Sequence, residues 1–150
     1  MRATVPDHAA HDVMAEYYGQ RASEGGLIIA EASQISEDGR GAPCTPGTHS
    51  ASQVAGWRQV TNAVHAKGGK IYLQLWHMGR LSHALYQPDG GAPLAPSPVA
   101  AAGKVLLPDF SRTEMPTPRA MSTAEVAGLA ARYAHCLLYT SDAADDDACV

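Results

Sequence analysis

The stretch that decides the fold is Lys70-Ile-Tyr-Leu-Gln-Leu-Trp-His-Met-Gly-Arg80, with no charged side chain between Ile71 and Trp76. A short apolar run ending in polar and aromatic groups is the pattern of a strand buried on both faces that delivers functional groups at its carboxyl tip. A second run of the same kind lies upstream, Gly26-Leu-Ile-Ile-Ala-Glu-Ala32. Between the two, Ser50-Ala-Ser-Gln53 forms a capping box, and Val54, Trp57, Val60, Thr61 and Val64 recur at helical spacing, with Gln53, Arg58, Gln59 and Lys67 turned to water. Gly68-Gly69 closes that helix. Strand, helix, strand is a βαβ unit, whose crossover makes the strands parallel and sets both tips on one side.

The flanks extend the same architecture. Pro6 to Ser23 reads as a helix, with Ala10, Val13, Met14, Tyr17 and Tyr18 on one face. The segment from Glu37 to His49 is rich in glycine and proline and reads as a long functional loop. From Gly79 to Met121 the prolines and the absence of a long period indicate a capping loop with a short hairpin. Ser122-Thr-Ala-Glu125 caps a third helix, in which Val126, Leu129, Ala130, Tyr133, Ala134 and Leu137 form the apolar stripe. After Cys136 the chain turns acidic and apolar-poor; residues 137–150 read as a non-native or disordered tail, similar to translated adapter read-through.

Composition narrows the function. The 150 residues are 45% hydrophobic and 17% charged, which suits one globular domain. A net charge of −4 without clustered Lys and Arg argues against nucleic acid as a partner. No apolar run reaches the roughly 20 residues that span a bilayer, and the N-terminus lacks the pattern of a secretory signal, so a cytoplasmic protein without a membrane partner is expected. Cys44, Cys136 and Cys149 are spaced as structural thiols, and His77 with His83 matches no zinc motif, so no metal is expected.

At the strand tips stand Glu31, Ala32 and Gln34 on one side and Gln74, Trp76 and His77 on the other. Ligands bind at the carboxyl ends of parallel strands, in open sheets and in barrels alike. The Gln74 carboxamide offers a donor and an acceptor together, which suits the imide edge of a flavin or pyrimidine as well as it suits neighbouring backbone. Trp76 fits a pocket wall or a core position. Dinucleotide, Walker, serine-hydrolase and CxxC motifs do not occur.

Taken together, Gly26-Leu-Ile-Ile-Ala-Glu-Ala-Ser-Gln-Ile-Ser36, Thr45-Pro-Gly-Thr-His-Ser50, Gln74-Leu-Trp-His-Met-Gly-Arg80 and Ser82-His83 resemble the old yellow enzyme family, in its ene-reductase and N-ethylmaleimide reductase branch. The resemblance implies an α/β chain that forms part of an incomplete (β/α)8 TIM barrel. That part is one βαβ unit with flanking helices and a long capping loop, residues 1–136. It implies FMN as cofactor and NAD(P)H as reductant. Ala32 and Gln74 match flavin-contacting positions, Trp76 a residue lining the substrate pocket, and Arg119 a cap arginine near nicotinamide or substrate.

The implied reaction reduces small activated alkenes such as enones, maleimides and nitro compounds. The family's His-x-x-His or His-x-x-Asn pair is not in the chain, so no catalytic residue is assigned and a truncated, inactive fragment is expected. Ala42 stands where this branch often carries a tyrosine. A small non-catalytic βαβ binding module is the alternative.

Overall fold

The computed structural model describes residues 7–141, with side-chain surroundings as far as Leu137. The acidic tract after Ser141 lies outside the described residues. In chain order the elements are α1 (Asp12–Gly19), β1 (Leu27–Gln34), α2 (Ala51–His65), β2 (Lys70–Trp76), β3 (Leu94–Ala95), β4 (Lys104–Leu106), β5 (Arg112–Glu114), β6 (Arg119–Ala120) and α3 (Thr123–Ser141).

β1 and β2 pair in parallel, as a βαβ crossover requires, and α1 packs on α2. The core lies between these helices and one face of the sheet. Met14 and Tyr18 of α1 meet Trp57, Val60 and Val64 of α2 and Ala30 of β1, with Ile28, Ile71 and Leu73 packed against them. Gly56 lets the layers close: a Cβ there would stand 2.3 Å from the carbonyl oxygen of Ala10. The α2 capping box forms as expected, and Gly68, at φ +71, ends the helix and turns the chain into β2.

Several expectations are corrected. The strands are buried on one face only: Leu27, Ile29 and Tyr72 are 60%, 62% and 56% exposed, because among the described residues no layer covers the side opposite the helices. α1 starts at Asp12, since residues before it are drawn into the loop that follows β1. His8 takes a left-handed φ of 60, its carbonyl accepts the Gly47 N–H, and the Asp7 carbonyl accepts the Gln53 carboxamide. That bond and the capping box hold Gln53 inside, at 3% exposure, where a water-facing side chain was expected.

The cap contains two small sheets, parallel β3 with β6 and antiparallel β4 with β5. α3 keeps its capping box, yet Val126 and Leu137 of its apolar stripe are exposed, and among the described side chains of the helix it is Cys136 that is buried. No helix of the described residues is long and apolar enough to cross a membrane.

Candidate flavin site at the strand tips

A β-bulge sets the geometry of the tips. Leu27, Ile28 and Ile29 pair with Lys70, Ile71 and Tyr72; the register then slips, and Ala32, Ser33 and Gln34 pair with Gln74, Leu75 and Trp76. Ala30 and Glu31 therefore stand together opposite Leu73. Such an extra residue re-aims the side chains beyond it. Without it Glu31 would pair with Gln74; with it, uncharged Ala32 takes that place.

Tyr18 of α1 stabilises the bulge. Its hydroxyl accepts the Glu31 backbone N–H and donates to a Glu31 carboxylate oxygen, both at 3.1 Å. Burial raises the Tyr18 phenol to about 12, so the hydroxyl keeps its proton at neutral pH.

Two glutamines end up with opposite roles. Gln34 is 1% exposed, its Oε1 accepts the Thr45 hydroxyl at 2.9 Å, and its backbone bonds Pro46 and Thr48. It pins the long loop. Gln74 is exposed, and its carboxamide makes no hydrogen bond among the described residues. Ala32, Gln74 and Trp76 are thus brought together at the tips of the paired strands.

Arg119 is placed in the cap on β6, opposite Leu94 of β3. Its guanidinium forms a fork on the Glu125 carboxylate of α3, at 2.6 and 3.1 Å, which holds that carboxyl at about 2. Ala42 is buried in the loop after β1. A polar cavity of about 340 Å³ is lined by His8, Gln34, Glu37, Arg40, His49 and Gln53 among others. His8 Nδ1 faces the Thr45 carbonyl, so Nε2 is left to accept from Arg40; burial and then the Arg40 charge lower its pKa.

One group at the tips was not singled out from the sequence. Asp38, in a 3-10 turn after β1, accepts from Arg132 of α3 at 2.8 and 2.9 Å and from the Ser36 hydroxyl, and faces His77 Nε2 at 3.6 Å. The His77 imidazole, then the Ser36 hydroxyl and the Arg132 guanidinium, hold its carboxyl well below the usual carboxylate range, against the upward pull of burial. Asp38 and Arg132 are 94 positions apart, and no local spacing signals their meeting.

The family model of the NADH:flavin oxidoreductase / NADH oxidase family matches residues 1–148. The chain belongs to that family. Within this flavin oxidoreductase family, which includes the old yellow enzymes, it is 40% identical over 135 residues to 12-oxophytodienoate reductase 7 of Oryza sativa subsp. japonica, covering 89% of this chain and 34% of the relative. It is 46% identical over 124 residues to flavin oxidoreductase hxnT of Emericella nidulans, covering 83% and 31%.

Among solved structures, morphinone reductase superposes with a TM-score of 0.86 at 45% identity, over 95% of this chain and 39% of that one. The old yellow enzyme homologue of Zymomonas mobilis gives 0.85 at 42%, over 95% and 39%. A further morphinone reductase structure carries tetrahydroNAD. The chain spans about a third of the length of the curated relatives it matches.

Proposed function

We propose that this chain supplies the flavin-edge side of the site in an FMN-dependent oxidoreductase that takes hydride from NAD(P)H and passes it to small activated alkenes. In this reading residues 1–136 form part of a (β/α)8 barrel, and the 150-residue chain alone is inactive. The observation that supports it is the free Gln74 carboxamide, set in register with Ala32 and two residues from Trp76 on an open sheet face.

The donor set fits the group. A carboxamide presents one acceptor and two donors, the complement of a carbonyl and N–H sharing the edge of a heterocycle. Bound FMN would supply a two-electron carrier that accepts hydride from nicotinamide and donates it to an alkene. Gln74 would orient it through that edge, and the Ala32 backbone would lie against it without a bulky side chain. Trp76 would wall the site and exclude water. The bulge keeps the Glu31 charge off this position by turning it to Tyr18.

No described side chain is assigned to polarise the alkene's carbonyl or nitro oxygen. Arg119 is a cap residue toward nicotinamide or substrate in this proposal, and to serve there it must exchange its fork on Glu125.

The open apolar face favours a second reading, a non-catalytic βαβ binding module. A chimera separates the two: residues 1–136 of this chain joined to the remaining segment of morphinone reductase. The first reading expects a yellow protein that oxidises NADH or NADPH and reduces an enone. A chimera that folds by circular dichroism but stays colourless with added FMN refutes it.

A further inference from the structure

His77 has its tautomer set by its own turn. The Gly79 backbone N–H donates to Nδ1 at 3.1 Å, so the neutral ring carries its proton on Nε2, and that N–H faces Asp38. At 3.6 Å the contact is longer than a formed hydrogen bond, and its attraction is electrostatic. The side chain is only 5% exposed, and Nε2 has no other partner among the described residues. Gly39, next to Asp38, lies flat against the ring: a Cβ there would stand 3.2 Å from His77 Cδ2.

The backbone on either side is stitched to the same turn. Ile35 N–H donates to the Trp76 carbonyl, and Met78 N–H to the Gly39 carbonyl. From the other side α3 closes on this point. Arg132 bonds both Asp38 oxygens, and the Cys136 thiol reaches the Ile35 carbonyl at 3.5 Å. The cap joins too, since the Gln87 carboxamide donates to the Asp38 carbonyl and to the Ser82 hydroxyl. One carboxylate thus gathers the loop after β1, the tip of β2 and α3.

We propose that Asp38 is a positioning residue: by pairing with Arg132 while facing the His77 imidazole, it fixes the β2 tip and, through the adjacent backbone, the indole of Trp76 beside Gln74. An aspartate suits the post because its two oxygens accept from Arg132 and Ser36 and face the His77 N–H without offering a competing N–H. Asparagine would turn an amide N–H toward one of those donors. Arg132 makes its contact through the single nitrogen Nη1, so a lysine ammonium at that position can replace it and a glutamine carboxamide cannot supply the charge. The inference rests on the flavin reading only for what the placement serves.

The test uses the 150-residue chain, labelled with 15N, as wild type, Asp38→Asn, Arg132→Gln and Arg132→Lys. Indole N–H resonances of Trp76 and of Trp57, which lies in the helix-facing core and donates to the Gly47 carbonyl at the far end of the loop, are followed together with the His77 ring nitrogens. Asp38→Asn and Arg132→Gln are expected to shift or broaden the Trp76 and His77 signals and leave Trp57 unchanged; Arg132→Lys is expected to keep the wild-type pattern. FMN titration, read by flavin fluorescence, should then weaken about tenfold in Asp38→Asn and stay within about twofold in Arg132→Lys.

Unchanged Trp76 and His77 signals in Asp38→Asn overturn the proposal. Equal disturbance of Trp57 and Trp76 also overturns it, since that marks general loosening. Should Asp38→Asn fail to fold, the contrast between Arg132→Gln and Arg132→Lys decides by the same signals. A folded chimera of residues 1–136 with the remaining segment of morphinone reductase that takes up no FMN counts against the flavin reading, while the resonances still decide the positioning role.

Discussion

At the scale of single residues, the two glutamines of the strand tips have opposite surroundings. Both stand on apolar strands and read alike in sequence; Gln34 is enclosed by the loop through Thr45 and Pro46, and Gln74 is open. Gln74→Ala is therefore expected to weaken FMN binding about fivefold, the worth of roughly one hydrogen bond of about 1 kcal/mol, with the urea midpoint unchanged. Gln34→Ala is expected to lower stability by about 1–3 kcal/mol, because the buried Thr45 hydroxyl loses the nearer of its two acceptors and the loop loses the enclosed carboxamide that anchors it. Paired FMN titrations and urea unfolding curves check both, and a Gln74→Ala chain that unfolds as early as Gln34→Ala contradicts the division. The chemical type of Gln74, a carboxamide among apolar neighbours, was legible in the sequence. Which glutamine faces inward was not, because that depends on a loop closing over one strand and leaving the other bare.

At the scale of elements, helix boundaries marked by side chains were readable and contacts between distant segments were not. Both capping boxes and the Gly68 turn are written in neighbouring residues, and they form. The bulge depends on Tyr18, 13 positions before the Glu31 N–H it accepts, and periodicity shows only that Tyr18 faces the core. Tyr18→Phe removes both of its bonds to Glu31 in a partly buried setting, so a loss of about 1–3 kcal/mol is expected, with faster hydrogen exchange at Glu31 than elsewhere in β1. The docking of α3 makes a second case, where the sequence pointed to an apolar stripe and the structure uses Arg132 and Cys136. Asp38 is held below its ordinary value in the folded chain, so it contributes stability above the unfolded carboxylate range near 4, and that contribution fades as pH falls further. Unfolding free energies measured from pH 6 to pH 3 should fall more for wild type than for Asp38→Asn; parallel curves contradict the ion pair.

At the scale of the whole molecule, the sheet has two unlike faces, and their difference explains what the sequence could and could not convey. Continuous apolar strands indicate burial on both sides, and Ile28, Ala30, Ile71 and Leu73 meet the helices as expected. Leu27, Ile29 and Tyr72 carry the same apolar character toward a side that nothing among the described residues covers. The sequence was thus readable as part of a larger α/β architecture through its resemblance to a family, while no single stretch records which layer meets the second face. An apolar face that nothing among the described residues covers, flanked by strand edges paired among those residues only at the Gln34–Gly47 bridge, favours association of like chains. The 150-residue chain is expected to self-associate with rising concentration in sedimentation velocity. Ile29→Lys with Tyr72→Lys should return it to a monomer, because each ammonium would have to be desolvated in the contact. Both positions point away from the α1 and α2 core, so the helical circular dichroism should not change. A double variant that sediments like wild type places the association elsewhere, and one that loses its helices shows that this face supports the fold itself.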